Sequence, residues 1–172
     1  PHPNGDFFAT GLRNDSTVIV RFDQGGTALW ARAFRFSTEP LQIEHMFVDA
    51  SGDLIGIVRN EALNIQDFRT TAFRYNPNSQ TFTWIQRLYG PSYSQIHPLG
   101  ANDLVLTAVS GSGLTQLTRI DKGSGSIVGY NKTGEQGDYY SVLHNDVLYG
   151  ACRRYFNSSG DFRVSVFAHN PN

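Results

Sequence analysis

Cysteine is scarce in this sequence, and charged residues of all kinds are few. The single cysteine, Cys152, can form neither an intramolecular disulfide framework nor a zinc site built from several cysteines. Charged residues make up 17% of the chain, below the roughly 25% of an average soluble domain. The 14 basic and 15 acidic side chains give a formal net charge of −1. This balance argues against a nucleic-acid-binding surface, a binder of anionic membranes and a charge-driven disordered tail.

Long hydrophobic runs are also absent. The apolar stretches, such as 18–20 and 104–106, have the length of strands and fall well short of the roughly 18 residues that span a bilayer. Residues 1–6 read as a turn and lack the basic and apolar character of a secretion leader. We therefore expect either that a leader has been removed or that the chain is a piece of a longer polypeptide.

What the sequence does contain is an internal repeat, a feature that decides the architecture before any secondary structure is assigned. An aspartate precedes a short apolar segment four times, at intervals of 47, 50 and 43 residues. The four aspartates are Asp6, Asp53, Asp103 and Asp146.

Three further elements recur with the same period. Each is rich in β-branched and aromatic residues and bounded by Gly, Asn, Asp, Ser or Pro, which is the signature of a β-strand. The second element covers residues 18–23, 71–76, 116–121 and 164–169, and its last copy has lost the arginine of the others. The third covers 28–32, 82–87 and 126–130, and the fourth covers 41–45, 93–97 and 139–143. Four strands per 43–50 residues is the blade period of a β-propeller.

The sequence thus predicts an all-β fold, a β-propeller segment with about four repeats of four antiparallel strands. We expect blades at approximately 1–36, 41–88, 93–132 and 138–172. Because the chain begins at the turn after an innermost strand and ends on a third strand, the first and last blades are expected to be incomplete. Residues 61–68, the one candidate helix, read better as a long hairpin loop, and an extended antiparallel sandwich is the alternative fold.

Two of the repeats carry a tryptophan after a turn. Residues 76–84, Asn-Pro-Asn-Ser-Gln-Thr-Phe-Thr-Trp, resemble the tryptophan-docking motif of quinoprotein-like propellers, which runs from Asp through Ser/Thr-Gly to Trp. Residues 23–30 are a version one residue shorter, and in the third repeat Gly129 stands where the tryptophan belongs. The pattern is more similar still to the repetitive propellers of large bacterial surface and secreted proteins. This resemblance implies a propeller used as a scaffold or binding surface, usually without catalysis.

The repeated residues have structural roles in this interpretation. We expect Trp30 and Trp84 to fill the wedge between neighbouring blades, each burying about 150–250 Å² and directing its indole N–H to a turn acceptor. The four repeated aspartates precede the second strand of each blade, where a carboxylate can accept turn N–H groups. The alternatives are a ligand platform for the tryptophans and a metal or substrate site for the aspartates.

Catalytic and metal-binding patterns are sparse. Five histidines occur, at positions 2, 45, 97, 144 and 169, and none has the spacing of a metal-ligand pair. His45 and His97 are predicted at similar rungs of the innermost strand, where imidazoles either bind an anion or metal or simply pack along a channel. The nearest approach to a calcium loop, residues 49–53, reads as a tight turn. One cysteine cannot supply the vicinal pair typical of quinone enzymes. We therefore predict no catalytic residue, no metal and no cofactor.

The function that this combination favours is a non-catalytic scaffold, adhesive or binding module of a large extracellular bacterial surface protein. A propeller glycoside hydrolase or lyase with its site at the channel mouth is one alternative, and an intracellular protein-interaction propeller is another. The expected partners are the remainder of the same polypeptide or neighbouring copies, which would complete the propeller, and a protein or glycan ligand. No nucleic acid and no membrane span are expected. Alone, the segment is expected to expose apolar faces that contain Phe7, Val18, Val164 and Val166.

Overall fold

The computed structural model describes residues 2–36, 41–59, 68–89, 92–109, 114–136, 138–145, 147–155 and 162–169. Within these ranges the chain forms fourteen β-strands and no helix. The strands are β1 (Phe7–Arg13), β2 (Ser16–Phe22), β3 (Ala28–Phe34), β4 (Gln42–Val48), β5 (Leu54–Arg59), β6 (Phe68–Asn76), β7 (Thr81–Tyr89), β8 (Ser92–Leu99), β9 (Asp103–Val109), β10 (Leu114–Asp121), β11 (Ile127–Gln136), β12 (Asp138–His144), β13 (Val147–Tyr155) and β14 (Phe162–His169). No helix long and apolar enough to cross a membrane occurs in the described ranges.

The strands form four antiparallel sheets in which neighbours along the chain are also neighbours in the sheet. Sheet I contains β1–β3, sheet II β4–β7, sheet III β8–β11 and sheet IV β12–β14. The prediction of an all-β chain of short antiparallel strands is thereby confirmed. Of the predicted loop 61–68, only Phe68 is described, as the first residue of β6. The chain divides into two compact units, Pro1–Tyr89 with sheets I and II and Gly90–Asn172 with sheets III and IV.

Each sheet has two distinct faces, because successive side chains of a strand point to opposite sides. In sheet I, Phe8, Arg21 and Trp30 stand opposite one another on three strands, and we call their side the front face. The back face carries the alternate residues, such as Ala9 and Val20. The corresponding front-face rungs are Ile55–Arg74–Trp84 in sheet II and Val105–Arg119–Gly129 in sheet III.

Within the unit Pro1–Tyr89, the front face of sheet I packs against the back face of sheet II. Ile19 of sheet I is fully buried in one cluster with Phe73 and Tyr75 of sheet II. The Phe34 ring meets the rings of Tyr75 and Phe82 edge to face, with centroid distances of 5.1 and 4.9 Å. Aromatic side chains in this edge-to-face arrangement join the two sheets, together with the aliphatic members of the same cluster.

The repeats also share their irregularities. In sheets I, II and III the last strand has one extra residue relative to the strand that it pairs with, and this residue forms a β-bulge. It comes directly before Trp30, Trp84 or Gly129, the residue opposite the front-face arginine. The extra residues are Leu29, Thr83 and Val128. A bulge that recurs at one position of the repeat indicates that the three sheets are copies of one structural unit.

The core of sheet III contains a satisfied polar network. The Tyr93 hydroxyl accepts a hydrogen bond from Gln116 Nε2 at 2.6 Å and lies 2.5 Å from Thr118 Oγ1. Gln116 Oε1 accepts in turn from the Tyr130 hydroxyl at 3.1 Å. Tyr93, Gln116 and Thr118 are all buried, and burial raises the pKa of the Tyr93 hydroxyl.

Candidate functional site

Three of the four repeated aspartates form ion pairs with an arginine of the neighbouring strand. The Nε–Oδ2 distances are 2.6 Å for Arg21–Asp6, 2.8 Å for Arg74–Asp53 and 2.7 Å for Arg119–Asp103. The fourth aspartate, Asp146, lies outside the described residues. The sequence showed both residue types recurring at fixed places, but sequence reasoning did not pair them.

The strand register explains these pairs. Asp53 precedes Ile55 by two residues, and Ile55 stands opposite Arg74. The carboxylate and the guanidinium are therefore diagonal neighbours on the front face, within reach of a long side chain. Trp84 stands opposite Arg74 on the next strand, so aspartate, arginine and tryptophan share one face.

The aspartates were expected to accept turn N–H groups, and that role stays a prediction; the structure adds an arginine partner for three of them. In the turns before Asp6 and Asp53, a second polar residue accepts backbone N–H groups. Asp49 Oδ1 accepts from the backbone N–H groups of Ser51 and Asp53 at 2.8 and 3.0 Å, and Asn4 Oδ1 accepts from that of Asp6 at 3.1 Å. The repeated carboxylate is left to face the guanidinium, with which it forms a stronger, charge-assisted hydrogen bond.

The segment 49–53 is a turn whose side chains surround the guanidinium of Arg74 from strand β6. Asp49 N donates to the Asp53 carbonyl at 2.9 Å, which confirms the predicted tight turn. Arg74 Nη2 lies 3.4 Å from Asp49 Oδ2 and 3.1 Å from Ser51 Oγ, so the guanidinium supplies the positive charge for both carboxylates. In the described part of the chain, no group of three His, Cys, Asp or Glu residues could hold a metal ion.

Two arginines of sheet I also connect it to sheet II. Arg21 Nη1 donates to Asn78 Oδ1 at 3.2 Å, and Arg32 Nε donates to Gln80 Oε1 at 2.7 Å. Arg21 therefore pairs with the aspartate of its own sheet and with the outer turn of the next one. Such forked donation is a property of the guanidinium that a lysine does not share.

Asp6 lies in a short chain of hydrogen bonds that begins at His2. His2 Nδ1 lies 2.5 Å from Asn4 Oδ1, and Asn4 Nδ2 donates to Asp6 Oδ2 at 2.9 Å. The Asn4 hydrogen bond, opposed by burial and aided by Arg21, lowers the pKa of the Asp6 carboxyl. The His2 ring packs against Gly52, where a Cβ atom would lie 2.7 Å from Nε2 and where φ is +88°. Both facts favour glycine at this turn position.

The outer turns each have an Asx acceptor. Its side-chain oxygen accepts a backbone N–H two to four residues later, which is the Asx-turn pattern. The distances are 2.8 Å for Thr27 N to Asp23, 2.9 Å for Ser79 N to Asn76 and 2.7 Å for Ser124 N to Asp121. Hydrogen bonds from the Ser124 hydroxyl and backbone lower the pKa of the Asp121 carboxyl.

The two tryptophans occupy equivalent front-face positions. The half-buried Trp30 ring lies 6.1 Å from Phe8 of its own sheet and 6.3 Å from Tyr75 of sheet II, so it contacts both sheets. Trp84 is 9% exposed. In sheet III the same register position is Gly129, as the sequence indicated. The contribution of the tryptophans as staples between blades stays a prediction.

The histidines of the innermost strands do not share a rung, so that prediction is wrong. His45 stands opposite Ile57, four residues after the aspartate of its repeat, whereas His97 stands opposite Val105, two residues after its own. The turns that lead to the two aspartates have the same length. The histidines precede their aspartates by eight and six residues, and they therefore fall at different rungs.

The fourth repeat has a histidine at the arginine position. His169 stands opposite Leu148, two residues after Asp146, which is the register position of the arginine in sheets I to III. The sequence alignment correctly found no arginine in this copy, but it placed Phe167 at that position. The strand pairing shifts the equivalence by two residues.

Apolar surface is open in the unit Pro1–Tyr89. Phe7 is 43% exposed on the back face of sheet I, where it stacks on Phe22 at 5.1 Å, and Val18 is half-buried. The side chains of Val164 and Val166, also expected to be exposed, lie outside the described residues. A cavity of about 460 Å³ lies between β1 and β4, and its lining consists of Phe7, Phe8, Met46, Phe47 and Val48.

Comparison with known proteins shows a likeness of fold. No protein-family model and no curated protein matches the chain. The β-propeller domain of the Trilobed protease from Pyrococcus furiosus, whose structure is said to reveal an open velcro topology, matches with a TM-score of 0.58 and 9% sequence identity. The match covers 97% of this chain and 53% of that chain, so the chain spans about half its length. The likeness supports the predicted propeller-like repeat fold.

Proposed function

We propose that the chain is part of a β-propeller that acts as a non-catalytic scaffold or binding module of a large extracellular bacterial surface protein. The observation that carries this proposal is the repeated pairing of Asp6, Asp53 and Asp103 with arginines of the adjacent strand. Each repeat uses its recurrent charged side chains to hold its own strands together. A carboxylate held in an ion pair within its own sheet stabilises the fold and is poorly suited to act as a general acid or base.

The proposal includes four blades, of which the first and last are incomplete. Sheets II and III have four strands and the described parts of sheets I and IV have three, which supports this division. The partners that would complete the outer blades are the remainder of the same polypeptide or neighbouring copies. The match covers only 53% of the protease propeller domain, which supports a complete propeller with more blades than this chain alone provides.

The surface best suited to a ligand is the end of sheets I and II that carries the turns 2–6, 23–27, 49–53 and 76–81. Its exposed groups include the neutral amides of Asn4, Gln24 and Asn78. Amide side chains donate and accept hydrogen bonds without a net charge, which suits the hydroxyl groups of a glycan or the backbone of a protein. We propose a glycan or protein ligand at this end, within the unit Pro1–Tyr89.

The decisive experiment measures binding and turnover on the same polysaccharides. The chain is immobilised and tested against a glycan array, and each bound polysaccharide is then incubated with the chain and analysed for new reducing ends. We expect saturable binding that the variant Gln24→Ala/Asn78→Ala weakens, with no product formed. The control, Gln116→Ala, removes a buried amide of sheet III, which is outside the proposed surface, and should keep the binding. Turnover that is abolished by substituting an acidic residue would instead establish the glycoside hydrolase or lyase alternative.

A further inference from the structure

The inner edge of sheet I differs from the inner edges of sheets II and III. In those two sheets the strand that follows the repeat aspartate, β5 or β9, is paired on its inner side with β4 or β8. The corresponding strand of sheet I is β1, and among the described residues it pairs only with β2. An uncovered edge leaves a row of backbone N–H and C=O groups ready to pair with another strand.

The turn that leads into β1 has the geometry of a turn between two paired strands. His2 N donates to the Asp6 carbonyl at 2.8 Å and Gly5 N donates to the His2 carbonyl at 2.7 Å. Residues 49–53, which join β4 to β5, make the same two hydrogen bonds at 2.9 and 3.0 Å. The glycine before the aspartate has a φ of +88° in both turns. A chain that enters this turn at His2 is therefore directed along the open edge of β1.

The cavity beside this edge defines the side chains that would fill it. It lies between β1 and β4 and is lined by apolar side chains, among them Phe8 and Met46. Apolar residues on an incoming strand would bury surface there, which favours pairing through the hydrophobic effect. The two strands that occupy the equivalent place, β4 and β8, both contain one bulge and both bury apolar residues such as Ile43 and Ile96.

We infer that the edge of β1 is a strand-acceptor site, and that its occupant is a strand of the same polypeptide that runs into the turn at His2. The occupant is antiparallel to β1, about as long as β4 and apolar where β4 is apolar. Pro1 precedes Asp6 by the same number of residues as Val48 precedes Asp53 and Pro98 precedes Asp103. Val48 ends β4 and Pro98 is part of β8, so the equivalent position in the first repeat is Pro1. The inference rests on the proposed completion of the outer blades and names one of the missing strands.

The test supplies this strand from the chain's own sequence. Residues 41–47, Leu-Gln-Ile-Glu-His-Met-Phe, are fused directly before Pro1 of the full chain, and a second version carries residues 92–97 from β8 instead. Each version has its own matched control, a Gly-Ser extension of the same length as the strand that it replaces. We expect both strand-forming extensions to slow hydrogen exchange of the β1 amides at least about tenfold relative to the control, since closing an edge raises the local opening free energy. Exchange in sheets III and IV should not change.

Three outcomes would overturn the inference. One is exchange at β1 that is the same with the strand-forming and the Gly-Ser extensions. Another is equal protection by a free peptide of residues 41–47 at micromolar concentration while the fusion has no effect, which would assign the edge to a partner chain, because a fused strand has an effective concentration in the millimolar range. The third is protection that rises with protein concentration together with a dimeric mass, which would assign the edge to a second copy. None of these results changes glycan binding, so the failure of this inference and the failure of the proposed function are distinguishable.

Discussion

Sheets II and III have the same strand register but place different side chains on it. Both have four strands, an aspartate–arginine pair on the front face and a bulge in the inner and outer hairpins. On the back face, however, sheet II places Gly56 opposite Phe73, whereas sheet III places Leu106 opposite Thr118. A large side chain on one strand is matched by a small one on its neighbour, in opposite order. The comparison teaches that the register of the repeat is fixed and that the volume of a cross-strand pair is conserved while its members are not.

The largest effect is expected from breaking this volume match in sheet II. A Cβ atom at Gly56 would lie 2.7 Å from the Phe73 ring, so Gly56→Leu should destabilise the chain by about 3 kcal/mol through overpacking. Phe73→Thr alone opens a cavity beside Phe36 and Phe82, but combined with Gly56→Leu it copies the pair of sheet III. The double variant should therefore be at least about 1 kcal/mol more stable than the sum of the two single losses, which urea unfolding of the four chains of a double-mutant cycle measures. Strict additivity of the two substitutions would show that the pair does not compensate.

The ion pairs sharpen the comparison at the front face. The Arg74 side chain is 16% exposed and meets two carboxylates among the described residues, whereas that of Arg119 is 37% exposed and meets one there. Arg74→Ala leaves two poorly solvated carboxylates and should cost about 2–3 kcal/mol, against about 1 kcal/mol for Arg119→Ala. The lysine variant at each site keeps the charge but not the forked geometry, and it should recover part of the loss. Equal losses at the two sites, measured by denaturant unfolding, would contradict this prediction.

Two buried tyrosines give the next contrast. The Tyr75 hydroxyl of sheet II has no hydrogen-bond partner among the described residues, while the Tyr93 hydroxyl of sheet III has two. Tyr93→Phe should therefore cost about 1–2 kcal/mol, because it leaves Gln116 and Thr118 without their partner. Tyr75→Phe removes an unsatisfied group and should be neutral or stabilising. Thermal unfolding of the two single variants provides the comparison, and a larger loss for Tyr75→Phe would refute it.

The comparison of sheets also shows what sequence reasoning can reach. The strands, the turns and the recurring aspartates follow from composition and spacing, because a strand and its turn are local features. The partner of each aspartate does not, because it depends on which residue of the next strand stands opposite, and a shift of two residues changes that partner. The histidines at 45 and 97 and the misplaced arginine position in the fourth repeat are errors of this kind. The polar network of Tyr93 was not predicted either, since nothing local in the sequence brings β8, β10 and β11 together.

Acid should affect sheet I through Asp6. Its carboxyl pKa is lowered in the folded chain, chiefly by Asn4, so this group stabilises the fold above the unfolded pKa of about 3.9 and stops doing so as the pH falls through the folded pKa. Asn4→Ala should raise the folded pKa and shift the acid-unfolding midpoint to higher pH by a fraction of a unit. The carboxyl resonance of Asp6 in an NMR titration reports this directly. Ser124→Ala is the matched control in sheet III, since it should raise the pKa of Asp121 and leave that of Asp6 unchanged.

The smallest effect is expected where sheet III lacks the tryptophan of sheet II. Gly129 stands opposite Arg119, as Trp84 stands opposite Arg74, and a Cβ atom at Gly129 would lie 3.6 Å from the nearest atom of Arg119, which is ordinary contact. Gly129→Ala should stabilise the chain by about 0.5–1 kcal/mol, because glycine weakens the interior of a strand. Gly129→Trp should add a few tenths of a kcal/mol more if the ring packs on the guanidinium, as a cation–π contact at a partly exposed site would. Thermal unfolding of the two variants separates these contributions, and a tryptophan variant less stable than the alanine variant would show that sheet III has no place for the ring that sheet II buries.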